Sequence, residues 1–419
     1  MKKKYLFLLF ICLILFVHGQ AQTRSKVNID LPHFAGKPYV FYLMQGDRQD
    51  TIQSGVLDES GKTVLMLPER YKTFVGMSKF MIVREGGTEI VLSREPEFTV
   101  SCTEAQPDIN NIHYMGTPEN SFFFGQYQKQ GKILEKAVAV EGMLQLYNSP
   151  QDSLYRLLKA EQNRLQEQYA KVQKETAQSP LYAARIREMG DFLRGLGSRL
   201  NLTEKEMQKE QRDFVLKKLN FEQLYNSGLW NEVLSRWMGM TTGLGDSTLL
   251  ADSRTALNRC TDKDLHGKLL GKLILYYNKY GKENLLAQLG VDDSLTPGHP
   301  APKLHVDSLT MTPVNSLVIF YETGCGSCEQ ELTRLRANYP VLQARGIRVI
   351  SVSADHDEET FRKNADLFSW TDKYCDYKGF DGENFKSYQV FGTPTIFVID
   401  KDGIITGRYA TMAEAMREL

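Results

Sequence analysis

Residues 317–332, LVIFYETGCGSCEQEL, confine the fold more than any other stretch of this 419-residue chain. LVIFY is a short, wholly apolar run of the kind that forms a strand buried on both faces. A polar, helix-forming run follows, with Leu332, Leu335 and Leu342 spaced for the inward face of a helix from Cys328 to about Ala344. Cys325 therefore falls where a strand ends and a helix begins. Unpaired N–H groups and the positive end of the helix dipole favour a thiolate there, below the free cysteine value of about 8.5. Cys328 lies one turn inward on the same face, within reach of disulfide geometry. These positions predict an exposed attacking thiol at Cys325 and a shielded resolving thiol at Cys328.

Spacing alone leaves other uses of the pair open. A zinc ribbon needs a second CxxC or paired histidines, whereas Cys102, Cys260 and Cys375 are isolated and His299 and His305 lack ligand spacing with the pair, so no metal is expected. Before Cys325, Tyr321-Glu322-Thr323-Gly324 offers a threonine but no proline for a peroxidatic pocket. A passive structural Cys325–Cys328 bridge remains as the alternative. Around the motif, IRVISVSA (347–354), DEETFRKNADLF (357–368), TIFVID (395–400), IITGRYA (404–410) and a closing helix over 411–419 give strand, helix, strand, helix, strand, strand, helix. That order predicts an α/β domain with a mixed sheet over residues 304–419.

The rest of the chain reads differently. Lys2, Lys3 and Lys4 precede a 13-residue apolar stretch, Tyr5 to Val17, with small residues at Gly19 and Ala21. This predicts a signal peptide over residues 1–21, cut after Ala21 and too short for a lasting membrane anchor. The mature chain then carries 48 basic against 51 acidic side chains and five cysteines, soluble in a compartment where disulfides persist. Balanced charge without a basic, aromatic-laced stripe excludes nucleic acid as a partner. Residues 26–116 contain short β-branched or aromatic runs (YVFYLM, KTVLML, KFMIVR, TEIVL, EFTVS) split by glycine-bearing turns such as Gly46-Asp47, predicting a small antiparallel sandwich or barrel. Thr117-Pro118-Glu119 then starts an all-helical stretch over 117–291, with helices expected at 118–147, 151–177 and 181–199. Leu158, Leu165 and Val172 form a seam, and HGKLLGKLILYYNKY (266–280) is a later helix. A proline-rich linker, 292–303, separates this stretch from the α/β domain.

From Gly298 to about Ala410 the sequence resembles the TlpA/ResA-like thioredoxin-fold thiol–disulfide oxidoreductases of the bacterial cell envelope. The resemblance rests on Gly298-His299-Pro300-Ala301-Pro302, on the strand–CxxC–helix element with a glutamate shortly after its second cysteine, and on VFGTPTIFVIDKDGII (390–405). It implies a cis-proline at Pro394 opposite the cysteines, with Thr393 offering backbone hydrogen bonds to an extended substrate. It further implies a cofactor-free periplasmic reductase whose partners are envelope proteins carrying disulfides or thiols, fed by a separate membrane electron donor. Three positions depart from the family pattern. Gly324 replaces an aromatic residue, Gly326-Ser327 fills the CxxC, and Ile319 stands where thioredoxins bury an acid. Glu322 is expected to point elsewhere, so no general base for Cys328 is assigned. The segment before LVIFY is also short, so the opening hairpin is expected to be reduced. The β-rich and helical parts carry no motif with an assignable chemistry.

Overall fold

The computed structural model describes residues 26–306 and 309–419, so the apolar leader and its cleavage site lie outside the described residues. The chain forms two compact units, one comprising residues up to Leu43 with Thr51–Glu188, the other Met44–Asp50 with Met189–Leu419. The division thus falls inside the helical stretch, between Glu188 and Met189, and residues 292–303 join parts of one unit.

In the first unit, strands β1 (Lys26–Asp30), β2 (Pro38–Gln45), β3 (Arg48–Val56), β4 (Lys62–Met66), β5 (Gly76–Ile82), β6 (Gly86–Leu92), β7 (Glu97–Ser101) and β8 (His113–Met115) contribute to two four-stranded sheets, ordered β4-β1-β7-β8 and β3-β2-β5-β6. Alternate residues of β1 and β7 point inward, so Val27, Ile29, Phe98 and Val100 join Phe41, Leu65, Phe80 and Ile90 in one core. The pairings described are antiparallel except that of β1 with β7, which is parallel. KVNID and RQDTIQSGV hold too few apolar residues to announce β1 and β3 as strands.

Helix α1 (Pro118–Leu146) starts as the residues dictate, with Thr117 accepting from the Asn120 N–H and Pro118 in the first turn. The Asn120 side-chain amide also exchanges two 2.8 Å hydrogen bonds with the Val91 backbone, tying the helix start to β6. Leu158, Leu165, Tyr169 and Val172 of α2 (Ser153–Gln178) form a buried stripe, the seam packing within the chain. Helix α3 (Tyr182–Leu193) stops short of residue 199 because Gly195 takes a left-handed φ of +69°.

The second unit contains α4 (Glu204–Asp213), α5 (Phe221–Tyr225), α6 (Trp230–Thr242), α7 (Asp246–Arg259) and α8 (Lys263–Lys279), packed around Trp230, Trp237, Leu269, Leu273 and Tyr277. There follow a hairpin of three-residue strands, β9 (Leu304–Val306) and β10 (Leu309–Met311), then β11 (Ser316–Tyr321), α9 (Gly326–Ala344), β12 (Arg348–Ser353), α10 (Glu358–Ala365) and β13 (Asp372–Cys375). The chain ends with α11 (Glu383–Ser387), β14 (Thr395–Ile399), β15 (Ile405–Tyr409) and α12 (Met412–Glu418). The sheet order is β13-β12-β11-β14-β15, parallel among β11, β12 and β13 and antiparallel at β14 and β15. Central β11 is buried on both faces. Leu317, Ile319 and Tyr321 meet one core with Leu332 and Leu335, while Val318 and Phe320 meet another with Phe385, Tyr388 and Phe397. This is the thioredoxin-like α/β layout expected for the segment. Among the described residues no helix is long and apolar enough to cross a membrane.

Candidate functional site

The turn after β11 is pinned before it reaches the cysteines. The Thr323 backbone N–H and hydroxyl donate to the Asp355 carboxylate at 3.1 and 2.7 Å, and the Asn364 amide donates to the Thr323 hydroxyl at 2.8 Å. Gly324 adopts φ +79°, the left-handed region a side chain disfavours, which accounts for glycine where an aromatic residue is usual. Cys325 is then the N-cap of α9, and its sulfur accepts the Cys328 N–H at 3.3 Å. The Cys328 thiol donates to the Cys325 sulfur at 2.6 Å, and the Ser327 hydroxyl lies 3.2 Å from it.

These contacts split the two thiols. The hydrogen bond from Cys328, aided by Ser327 and the helix start, holds Cys325 below the ordinary thiol range despite burial. Cys328 goes the other way: burial, then donation to Cys325, push it well above that range. Its bed is apolar, since Ile319, with no exposed surface, packs in the same core as both cysteines. No acid lies in that strand position.

Opposite the cysteines, the Thr393–Pro394 peptide is cis, Thr393 is buried, and its carbonyl lies 3.9 Å from the Cys325 sulfur. The four residues singled out in the sequence, Cys325, Cys328, Thr393 and Pro394, thus converge. Phe391, just before this loop, packs against the core built by α3 to α8. Gly271 of α8 meets the same loop so closely that a Cβ there would stand 2.8 Å from the Phe391 carbonyl carbon and 2.9 Å from the Gly392 nitrogen.

One expectation is corrected here. The thiol expected to attack is not exposed: Cys325, like Cys328, has 0% of its surface accessible. The tip of the β2–β3 hairpin, residues 44–50, covers it. Arg48 forms an isolated antiparallel bridge with Cys325, and the Gln49 N–H donates to the Gly324 carbonyl at 3.3 Å. Arg48 also donates to Glu322 at 2.7 Å and through Nε to Asp50 at 3.0 Å. Glu322, largely buried, points at Arg48; burial lifts its carboxyl above the usual range, with Arg48 opposing. Farther round the cleft, Lys272 of α8 pairs with Asp47 at 2.6 Å and Lys268 lies 4.7 Å from the Tyr225 ring centroid. Arg48, Asp47, Lys268 and Lys272 line the cleft with Glu322 and Thr393, and sequence reasoning assigned none of the four a role. One available signal was Gly271, one of two glycines inside the otherwise helical HGKLLGKLILYYNKY, since glycine costs stability in a helix interior and its presence there points to packing.

Cys375 stands apart from the pair. At the end of β13 its thiol donates to the Asp355 carbonyl at 3.3 Å, and burial raises it to about 11. Glu331, after the second cysteine, accepts from the Met412 N–H at 2.7 Å and pairs with Arg334. Among the described residues no group of three or more His, Cys, Asp or Glu is placed to hold a metal ion.

Residues 305–408 match the family model described as AhpC/TSA family. The chain is 32% identical over 84 residues to the thiol-disulfide oxidoreductase ResA of Bacillus thuringiensis, which aligns 20% of this chain with 47% of that protein. It is 30% identical over 92 residues to ResA of Geobacillus thermodenitrificans, aligning 21% of this chain with 52% of that one. The chain therefore spans about half the length of the curated relatives it matches. Similar solved structures include a thioredoxin-like protein from Parabacteroides distasonis (17% identity, 29% of this chain, 93% of that chain, TM-score 0.26). Another is a thiol-disulfide oxidoreductase from Bacteroides fragilis (22% identity, 28% of this chain, 98% of that chain, TM-score 0.26). The AhpC/TSA match thus falls on the α/β part of the second unit, and the larger part of the chain lies outside it.

Proposed function

We propose that the protein is a thiol–disulfide oxidoreductase working through the Cys325–Cys328 dithiol. The observation that carries this reading is the placement of two adjacent sulfurs at a helix start, where the Cys325 sulfur accepts from both the N–H and the thiol of Cys328. The Cys325 thiolate attacks a substrate disulfide, forming a mixed disulfide and releasing one substrate thiolate. Cys328, once deprotonated, attacks the Cys325 sulfur, closes the intramolecular disulfide and releases the second substrate sulfur. Two electrons pass from dithiol to substrate. Thr393 and Pro394 hold the substrate chain as an added strand.

The finer reading is a periplasmic reductase, exported by its apolar N-terminal segment, acting on envelope proteins and recharged by a separate membrane electron donor. The β-rich part (26–116) and helical part (117–291) select or position partners, with 304–419 as the catalytic domain. Direction is tested by the reduction potential of the pair: a value near thioredoxin's, about −270 mV, supports a reductase, and one near about −120 mV makes the protein an oxidant. The reaction itself is tested with Cys328→Ser, which should accumulate mixed disulfides at Cys325 with envelope proteins under mild oxidant; their absence would sink the reading.

A second reading is favoured by one observation, the complete burial of Cys325. In it the pair is a redox-silent bridge and the chain a binding or scaffold protein. A pair that stays oxidised and unlabelled in dithiothreitol until the protein unfolds would select it.

A further inference from the structure

Among its described residues, the thioredoxin-like segment places no charged side chain in the bed of the two sulfurs. Ile319 leaves the bed apolar, and Glu331 is turned to Met412 and Arg334. Two charged groups come instead from elements remote in sequence. Asp47 stands next to Arg48, whose backbone bridges Cys325, and Lys272 stands next to Gly271, whose backbone abuts the Phe391–Gly392 loop. The two side chains meet at 2.6 Å with only 13% and 10% of their surfaces exposed. One Asp47 oxygen takes the lysine; the other, Oδ1, is buried with no hydrogen-bond partner among the described residues.

Such a pair is a poor stabilising device. Desolvating two charges costs about as much as their attraction returns, and an apolar pair of similar volume does as well. An orphaned carboxylate oxygen makes the arrangement worse still. What distinguishes this pair is its attachment: Asp47 adjoins the residue that bridges Cys325, and Lys272 adjoins the glycine that abuts the loop leading to Thr393. We propose that Asp47 and Lys272 act as positioning residues that set the acidity of Cys325, Lys272 favouring its thiolate and Asp47 restraining it. The proposal rests on the reading of Cys325 as the nucleophile and names groups outside the thioredoxin-like segment that tune it.

The signs follow from charge alone. A cation near a thiol lowers its pKa and an anion raises it. The Asp47 carboxylate raises Cys325, and a charged Cys325 in turn raises Lys272. Tyr276 on α8 faces Lys272, and across the cleft Glu322 faces Arg48, Lys268 and Asp50. Those groups are the same in every variant below.

The test is the pH titration of thiolate absorbance at 240 nm in the reduced full chain, read against the reduced Cys325→Ser protein. Cys260 and Cys375, raised to about 11, and Cys328, raised well above the ordinary thiol range, are silent below pH 9 or so. Asp47→Asn should lower the Cys325 pKa by about one pH unit, Lys272→Gln should raise it by less, and Lys272→Arg should bring it back to the native value. A purely structural pair would move neither value, or both the same way, and either result overturns the proposal. Should a lone buried charge prevent folding, the swap of Asp47→Lys with Lys272→Asp keeps the pair but puts the cation where the carboxylate now weighs on the sulfur. It should lower the Cys325 pKa, and an unchanged value would overturn the proposal as well. None of these readings needs turnover. Insulin reduction by the native protein, run alongside, reports separately on the proposed reaction.

Discussion

Two parts of the second unit border the same sulfurs and reach them by opposite routes. Residues 316–332 do so locally: a strand, a pinned turn and a helix start place Cys325 and Cys328 within one helical turn. The hairpin tip 44–50 and helix α8 do so across the chain, with Arg48 and Glu322 in contact although 274 residues apart. The local part distinguishes the two sulfurs, because N-cap geometry and the Cys328 hydrogen bond favour the thiolate at Cys325. The distant part decides what that sulfur meets, because it removes the thiol from solvent and lines the cleft with charge. The placement of the two sulfurs is thus encoded locally, and their access and charged surroundings at a distance.

Four substitutions test that division, in decreasing order of expected effect. Cys325→Ala strikes the local part alone and should drop disulfide exchange to background, measured by insulin reduction, with the fold intact by circular dichroism. Arg48→Ala strikes the distant part. It removes the hydrogen-bonded counter-ion of the buried Glu322 carboxylate, so about 3 kcal/mol of stability should be lost in urea unfolding, and alkylation of Cys325 by iodoacetamide should speed up. The pH sign is fixed. Glu322 already lies above its ordinary range through burial, and losing Arg48 raises it further. A carboxyl with a raised folded value favours the folded state most below its unfolded pKa, about 4.3, and that contribution fades as pH rises through the folded value. The Arg48→Ala penalty should therefore be smallest in acid and grow towards neutrality; a penalty that shrank with rising pH would contradict the buried pair.

Gly271→Ala pushes a methyl into the backbone of the Phe391–Gly392 loop. Overpacking of this kind costs about 1–3 kcal/mol, and the shifted loop should lower exchange by a modest factor without changing the Cys325 pKa. Cys375→Ser should do least, within about 0.5 kcal/mol in stability and without effect on exchange. A large loss of exchange there would bring Cys375 into the redox site and dissolve the contrast with the dithiol.

The local half of the site was legible in sequence because its signals are contiguous. LVIFY is a central strand by its unbroken apolar run, and GTPT fixes the opposing loop through Thr393 and Pro394. The seam Leu158, Leu165 and Val172 was legible for the same reason, a helical period within one element. The distant half was not. Gly46-Asp47 marks a turn, and it is one, with Gly46 at φ +58°, but nothing in a turn signal tells that its carboxylate meets Lys272. Lys268 and Lys272 look like the solvated face of an amphipathic helix, yet Lys272 pairs with Asp47 more than two hundred positions away and Lys268 lies over the Tyr225 ring. The expected exposure of Cys325 failed on the same ground. Exposure is set by what lands on a residue, and the hairpin that lands here is polar, short and far upstream.

The placement of the hairpin tip bears on what can be inherited separately. The span recognisable by homology, residues 305–408, is the piece that a fusion or truncation event would carry as a module. Moved alone, it would take both sulfurs and the GTPT loop but leave Arg48, Asp47 and Lys272 behind. The transplanted dithiol would be open to solvent, with Glu322 lacking its counter-ion. The span matched by the family model is thus shorter than the span that surrounds the two sulfurs.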